Sequence, residues 1–340
     1  ERRACLFARA FEKYVTPMAT IASGEHLSMR SVHYRRTCVD LAHKGSKHGL
    51  CAKLKRTRPH LDDDACNAFL RIARRIFPLL ITLPLFCGPA VAQTSRVFVE
   101  ELTSAELAAA VRAGSTTVIV PIGGTEQSGP HLSLGKHNVR VRRLAARVAE
   151  ELGNTLVAPV IAYVPEGNID PPSGHMRFAG TISIPVPVFK AVLEAAARSF
   201  RRHGFRDVVL IGDHGGYQRA LGEVAAKLND EWMKSAARVH FISAYYRATH
   251  TTYVDVLKSK GLTDAQIGSH AGTADTSLQL ALAPSTVRPA LFERAREAGR
   301  GGGTSGDPRP SSAALGQLGV DAIIRQSVAA IRAALSAHGR

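Results

Sequence analysis

The chain has 340 residues and a formal net charge of +16, and its composition is not uniform along its length. Residues 1–92 contain 16 Lys and Arg against 7 Asp and Glu, so they carry +9 of that charge, and the rest of the chain carries +7. No basic run with interleaved aromatic residues occurs after residue 92, so we expect no nucleic-acid binding. All five cysteines lie before residue 92. The domain after it therefore has no thiolate ligands, and any metal there must be held by His and carboxylate groups.

Residues 66–92 have the three parts of a secretory signal peptide. Arg74 and Arg75 precede the apolar run 76–87, and a small-x-small cleavage site ends at Ala92. The apolar run contains two prolines and is much shorter than the roughly 20 residues that span a bilayer core, so a membrane anchor is the weaker interpretation. We expect cleavage near Ala92 and a periplasmic or secreted protein without membrane attachment.

The segment upstream of the signal peptide has no pattern of a folded domain. Residues 1–65 are rich in Arg, His and Cys and show no sustained period of 2 or 3.6 residues. We interpret them as non-native sequence translated in error, with a disordered basic extension as the alternative. The working domain is then 93–340. A third reading, a basic nucleic-acid-binding protein, depends on residues 1–92 and fails if the signal peptide is removed.

Helical and strand-like segments alternate from Thr103 onward. The predicted helices are 103–112 with Thr103 or Ser104 as N-cap, 139–152 with Asn138 as N-cap, 186–203, 219–232, 274–282 and 315–337. The predicted strands are 117–122, 156–161, 208–212 and 239–243. Residues 165–180 and 299–312 are predicted as loops, the second of them mobile. This alternation favours an α/β fold with a mainly parallel sheet and helices on both faces.

Three polar clusters lie in Gly-rich turns among these segments. They span residues 124–131 with an extension to His137, residues 212–216, and residues 270–277. In parallel α/β sheets the ligand crevice lies beyond the carboxyl ends of the strands, where two of the clusters fall. Imidazoles and carboxylates that converge in this way are the ligands of one or two divalent cations.

The first two clusters contain the strongest candidates for metal ligands. Glu126 follows a buried strand and is flanked by glycines, and His214 has glycines on both sides. His137 precedes a predicted helix and is either a ligand or an exposed residue. His131 donates a hydrogen bond to a metal ligand, contacts the substrate, or is a structural histidine bonded to the loop backbone. Ser128 lacks the first Gly of a nucleophile elbow, so a serine hydrolase is disfavoured.

Four further residues have plausible roles beside these. Asp213 orients His214, binds metal directly or caps the following helix. His270 and Asp275 stand at the start of a predicted helix, where an acidic residue is favoured electrostatically in any case. His175, in a loop, reaches over the pocket or is an ordinary loop histidine.

At these residues the sequence resembles the creatininase (creatinine amidohydrolase) family. Residues 121–137 are similar to the pattern P-x-G-x-x-E-Q-H-G-P-H-L-P-L-x-T-D of that family. Further matches are 178–182 to F-x-G-T-I, 204–206 to G-F-R, 212–217 to N-G-H-G-G-N and 270–277 to H-A-G-x-x-E-T-S. Five motifs in order make the resemblance specific for the family over about residues 100–335.

The resemblance implies a three-layer α/β/α hydrolase with two divalent metals, usually zinc or manganese, often assembled as a hexamer. By position, Glu126 and His214 match metal ligands, and Asp275 takes the place of the Glu in H-A-G-x-x-E. Two positions depart from the pattern: Ser128 replaces a ligand His, and His137 replaces the Asp that bridges the metals. One imidazole nitrogen does not bridge two cations, so these departures put the second metal in question.

We therefore expect an exported, metal-dependent amidohydrolase that cleaves the C–N bond of a small cyclic or linear amide. The expected metal ligands are Glu126, His137, His214 and Asp275. Asp213 or Asp275 is expected to shuttle the proton, and His175 or His131 to stabilise the oxyanion. The alternative is a non-catalytic periplasmic binding or assembly protein with a decayed metal site, which the substitutions at Ser128 and His137 would support.

Overall fold

In the computed structural model of the protein, residues 97–338 are described. The predicted upstream extension 1–65, the signal peptide 66–92 and the cleavage site lie outside them. Among the helices of the described part, none combines the length and apolar character needed to cross a membrane.

A four-stranded parallel sheet forms the centre of the fold. Its strands are β1 (Thr117–Ile122), β2 (Thr155–Val157), β3 (Asp207–Gly212) and β4 (Arg238–Phe241), in the order β2-β1-β3-β4. The central strand β1 is buried along its whole length, which explains its continuous apolar sequence. The second strand is shorter than predicted because Pro159 has no N–H to donate, and the chain returns to the sheet only at the isolated Ile122–Ile161 bridge.

Helices cover both faces of the sheet. They are α1 (Ser104–Arg112), α2 (Lys136–Leu152), α3 (Val186–Arg202), α4 (Gln218–Glu231), α5 (Ser243–His250), α6 (Thr252–Ser259), α7 (Asp264–Ile267), α8 (Thr273–Leu282), α9 (Phe292–Ala298) and α10 (Ala313–His338). One apolar core joins the sheet to α2, α5, α6, α8 and α10, and the other joins it to α3 and α4. Alternate residues of β1, such as Val118 and Ile119, point into different cores. The expected three-layer α/β/α fold is confirmed.

Helix α2 begins three residues earlier than predicted. Its N-cap is Gly135, and Asn138 lies inside the helix rather than capping it. The side chain of Asn138 instead accepts a hydrogen bond of 2.9 Å from the backbone N–H of Gly124 and so ties the helix to the loop after β1. Lys136 and His137 are therefore in the first turn of α2, and both are buried.

The segment 299–312 is packed against the polar end of the sheet, unlike the free loop that was predicted. A short 3-10 helix spans Gly299–Gly302, and Thr304 is buried. Ser305 and His270 exchange two backbone hydrogen bonds of 2.8 and 3.2 Å. Gly303 has a φ of +82°, and a side chain there would overlap the amide of Gln127. The close approach of the backbone at Gly303 to Gln127 thus explains part of the glycine content of the segment 299–312.

Candidate metal centre

A cavity of about 400 Å³, whose lining includes His137, His175, His214 and Asp275, lies beyond the carboxyl ends of the strands. The loop after β1 supplies Glu126, the end of β3 leads into His214, and the start of α8 supplies Asp275. The Tyr217 hydroxyl ties the ends of β1 and β3 together, because it accepts from the N–H groups of Asp213 and His214 (both 3.1 Å) and lies 2.6 Å from the carbonyl oxygen of Gly123.

Glu126 lies at the centre of the cluster and is completely buried. Its Oε1 faces two nitrogen atoms, His137 Nε2 at 2.7 Å and Lys136 Nζ at 3.5 Å. Its Oε2 faces His175 Nε2 at 3.2 Å and His214 Nε2 at 3.6 Å but has no hydrogen-bond partner. Burial alone would raise the pKa of Glu126, but Lys136 and His137 outweigh it and hold the pKa well below its usual range. The carboxylate is therefore ionised, and the nitrogen nearest to its Oε2 is Nε2 of His175.

His137 is held between two carboxylates. Its Nδ1 lies 2.6 Å from Asp213 Oδ2, and its Nε2 lies against Glu126. Since both ring nitrogens face carboxylate oxygens, neither presents a lone pair to a cation in this arrangement, which does not support the expected role of His137 as a metal ligand.

Asp213 is held by three neighbouring side chains, one of which is His137. Arg140 Nε donates to its Oδ2 at 2.8 Å, and the Tyr245 hydroxyl donates to its Oδ1 at 2.6 Å. Burial would raise the pKa of Asp213, but Arg140 and His137 lower it. A carboxylate held ionised in this way does not suit the expected proton shuttle.

Asp275 is also held by three donors. It accepts hydrogen bonds from Lys136 Nζ (3.0 Å), Arg140 Nη1 (2.7 Å) and the Ala271 N–H (2.9 Å). Burial opposes ionisation, but Lys136 and Arg140 keep the pKa of Asp275 well below its usual range. These partners do not support the expected roles of Asp275 as metal ligand and proton shuttle.

The two histidines that were expected to stabilise the oxyanion lie in different places. His131 is buried away from the cavity lining, with its Nε2 2.9 Å from Thr276 Oγ1 and its ring edge-on to Phe292, so its location fits the structural alternative. His175 lines the cavity, a location that fits the first of its two alternatives. Its Nδ1 lies 2.9 Å from Gln127 Nε2 and accepts from that amide, which assigns the proton to Nε2, on the side of Glu126.

Sequence reasoning missed Glu166. This residue is 5% exposed, and neither of its carboxylate oxygens has a hydrogen-bond partner. Burial and the nearby Glu126 raise its pKa to about 9. Gly124, with a φ of +151°, makes room for it, because a Cβ there would lie 2.5 Å from Glu166 Oε1. Its position between Pro165 and Gly167, in a loop, was the signal that could have identified it, since the same kind of flanking singled out Glu126.

Lys136 and Arg140 were also missed, and for them the sequence has no signal. Lys136 was not assigned to any element, and a basic residue at position 140, on a predicted helix, is ordinarily solvated. In the structure both are buried and bound to the carboxylates of the cluster.

Two groups of side chains among the described residues are spaced to hold a metal ion: Glu126, His175 and His270, and Glu126, Glu166 and His214. In the first group, His270 Nε2 lies 3.0 Å from the Gln127 carbonyl oxygen, and its Nδ1 faces Lys136 Nζ at 3.5 Å. Its lone pair is therefore directed at an ammonium group.

The second group fits a divalent cation better. It contains three buried carboxylate oxygens without a partner, on Glu126 and Glu166. Burial lowers the pKa of His214 to about 4, so its imidazole is neutral. Its Nδ1 accepts a hydrogen bond of 3.2 Å from the Gly216 N–H, which places the proton on Nε2, so a cation would have to displace one of these two protons from the ring. Buried carboxylate oxygens require a hydrogen-bond donor or a cation. Without a cation, the proton that the raised pKa keeps on Glu166 is that donor, on the side of Glu126, and a divalent cation bound here would replace it.

The fold and the site define a class: a parallel three-layer α/β protein whose polar cleft, rich in His and carboxylate groups, lies beyond the ends of its strands. The family model described as Creatininase: Creatinine amidohydrolase matches residues 100–331, and the chain belongs to this family. The resemblance found from the motifs is thereby confirmed.

Relatives of known sequence and structure agree with this assignment. The chain is 30% identical over 200 residues to creatinine amidohydrolase of Pseudomonas putida, covering 56% of this chain and 74% of that protein. It is 29% identical over 236 residues to the mycofactocin precursor peptide peptidase of Mycobacterium tuberculosis (strain H37Rv), covering 60% and 79%. A solved structure titled Creatininase Mn is similar with a TM-score of 0.58 at 26% identity, covering 69% of this chain and 97% of that one.

Proposed function

We propose that this protein is a metal-dependent amidohydrolase that cleaves the C–N bond of a small cyclic or linear amide. Membership of the creatininase family supports the reaction class. The observation that carries the metal dependence is the set of unpartnered buried oxygens on Glu126 and Glu166, beside the neutral imidazole of His214.

Glu126, Glu166 and His214 would hold one divalent ion. Zinc and manganese are the candidates, since solved relatives carry the titles Creatininase Mn and mutant creatininase, Zn-Zn type. Such an ion, when bound, polarises a substrate carbonyl and lowers the pKa of a bound water.

Groups of the chain itself position the substrate around this point. Gln127 holds His175 with its Nε2–H directed to the site, where it can donate to a carbonyl oxygen that gains negative charge. Tyr246 lines the same cavity, and burial raises its pKa to about 12, so its phenol remains a neutral hydrogen-bond donor. The His137–Asp213 pair fixes the orientation of Glu126 from behind.

We expect a substrate other than creatinine. The names of the relatives include one that acts on creatinine and one that acts on a precursor peptide, so both cyclic amides and peptides are candidates. Ser128 and His137 alter the first motif, and the predicted export places the protein away from cytoplasmic metabolites.

The proposal is tested with protein produced from Gln93 onward, loaded with zinc or manganese or stripped with a chelator. Creatinine, simple lactams and short peptides are incubated with each form, and release of amine is measured. We expect hydrolysis of at least one probe by the loaded form, its loss on chelation, and a fall in kcat/KM of about 100-fold or more for Glu166→Gln. The matched control is Glu194→Gln, which changes an exposed ion pair with Lys227 on the helical surface.

Hydrolysis that survives complete metal removal would contradict the metal dependence. Metal binding without hydrolysis of any probe would favour the second candidate, a binding or assembly protein. That candidate is supported by the ion pairs of Asp213 and Asp275 with Arg140 and Lys136. Carboxylates that are neutralised in this way are not available as general acids or bases.

We also propose export and assembly into a homo-oligomer. The signal-peptide pattern of 66–92 supports the first, and the family resemblance, which implies a hexamer, supports the second. N-terminal sequencing of periplasmic protein should give Gln93 or a near neighbour, whereas a chain that still contains residues 1–65 would contradict cleavage. Sedimentation equilibrium measures the assembly, and a monomer at micromolar concentration would contradict it.

A further inference from the structure

The ammonium group of Lys136 lies in surroundings that ordinarily hold a metal ion. Its side chain is 1% exposed, with Nζ 3.0 Å from Asp275 Oδ2 and 3.5 Å from Glu126 Oε1. His270 Nδ1 is 3.5 Å from the same nitrogen. Two carboxylates and an imidazole around one cation form a ligand set typical of zinc or manganese.

The position of Lys136 in its helix does not explain this burial. It is the first residue of α2, where the helix dipole disfavours a positive charge, and complete burial of a lysine requires paired counter-charges. The carboxylates of Glu126 and Asp275 supply that pairing. The buried charge of Lys136 is therefore stabilised by the carboxylates of the site and not by its helix.

The cluster has two sides that differ in how their carboxylates are neutralised. On the side of Lys136, Asp275 and Asp213 are bound by the cations Lys136 and Arg140. On the side of Glu166, the oxygens that face the cluster have no hydrogen-bond partner. Glu126 lies between the sides, with Oε1 toward Lys136 and Oε2 toward His214.

We propose that the ammonium group of Lys136 is a built-in cation that takes the place of a second metal ion, so that the centre binds a single metal on the side of Glu166. This inference deepens the proposed function and rests on it for the metal that remains. Lys136 acts as a positioning residue: it neutralises Glu126 Oε1 and Asp275, and it leaves only Glu126 Oε2 for the metal.

The test counts zinc per chain by mass spectrometry of the elements after saturation and desalting. We expect one zinc in the wild type, two in Lys136→Met, and one in Lys136→Arg, which keeps the positive charge. The double variant Lys136→Met with Asp275→Asn lacks a carboxylate of the opened site, so it should return to one zinc. Zinc should also raise the unfolding temperature of Lys136→Met more than that of the wild type, because it replaces a lost counter-charge.

Two zinc ions in the wild type would overturn the inference, and so would an unchanged count in folded Lys136→Met. If this variant does not fold, Lys136→Gln, which also removes the positive charge but keeps a polar side chain, takes its place, and two zinc ions are again expected. No zinc in the wild type but one in Lys136→Met would support the role of Lys136 and contradict the proposed function. One zinc in both the wild type and Lys136→Met would contradict the role of Lys136 and leave the proposed function intact.

Discussion

At the scale of single residues, Glu166 has the most unusual environment of the described carboxyl groups in the cluster. Its buried oxygens have no partner, and without a cation its pKa is raised to about 9. The folded, metal-free protein therefore keeps a proton that the unfolded chain releases near the usual glutamate pKa of 4.5. The free energy of unfolding must then fall as the pH rises from about 4.5 to about 9.

The contribution of Glu166 to the pH dependence of the unfolding free energy can be separated from that of the histidines. Burial lowers the pKa of His214 to about 4 and of His270 to about 3, so their neutral forms favour folding more as the pH rises, but only up to about 6.5. Between pH 7 and 9 we expect metal-free protein to lose at most about 1.4 kcal/mol of unfolding free energy per pH unit. Urea unfolding of wild type and Glu166→Gln measures this, and an equal slope in both proteins would contradict the assignment to Glu166.

A second prediction at this scale concerns the space that Gly124 leaves. Gly124→Ala places a methyl group 2.5 Å from Glu166 Oε1 on a backbone with a φ of +151°, so it must displace Glu166. We expect zinc affinity, measured by competition with a chelating dye, to fall by about 10-fold or more. The matched control is Gly114→Ala, which has a φ of +108° but no atom within 4 Å of the new methyl. Equal losses in the two variants would point to backbone strain and not to Glu166.

At the scale of elements, the site depends on how the ends of β1 and β3 are joined. The Tyr217 hydroxyl accepts from two backbone N–H groups after β3 and reaches the carbonyl oxygens of Ile122 and Gly123 after β1. Tyr217→Phe removes these bonds without changing the size of the ring, and it leaves buried backbone groups unsatisfied. We expect a loss of about 1–3 kcal/mol of unfolding free energy, measured in urea.

The loss of stability in Tyr217→Phe should be accompanied by weaker zinc binding, because Asp213 and His214 follow the end of β3. The control is Tyr163→Phe, since Tyr163 is 59% exposed and its substitution should leave both quantities unchanged. A Tyr217→Phe protein as stable as the wild type would show that the hydroxyl network does not hold the strand ends.

Elements were predicted better than their connections. The buried apolar strand 117–122 and the amphipathic helix that follows it could be recognised from periodicity alone. The start of α2 could not, because Asn138 forms its hydrogen bond with a residue of the β1 loop and not with its own helix. That shift of three residues decided the interpretation of His137, which is a residue of the first helical turn buried between carboxylates.

At the scale of the whole molecule, the metal should stabilise the fold, since its ligands come from loops that are far apart in the sequence. Zinc at 100 times its dissociation constant is expected to add about 2.7 kcal/mol to the unfolding free energy, which corresponds to a rise of about 5–10 °C in Tm. Calorimetry with and without zinc measures this shift. Glu126→Gln is expected to abolish it, and a shift of equal size in that variant would indicate binding elsewhere.

The sequence indicated where the site lies but not how its charges are paired. Glycine-flanked Glu126 and His214 could be placed at strand ends from the parallel-sheet pattern. The cations Lys136 and Arg140 could not, because their burial depends on carboxylates supplied by α8 and the end of β3, more than 70 residues later. The distinction between metal ligands and ion-paired carboxylates is therefore a property of the tertiary structure.

The central claim is a single metal ion on the side of Glu166. It is tested most directly by an anomalous difference map from crystals of the zinc-loaded protein. We expect one peak per chain, within coordination distance of Glu126 Oε2, Glu166 and His214. A pair of peaks, a peak at the position of the Lys136 ammonium group, or no peak at saturating zinc would contradict it.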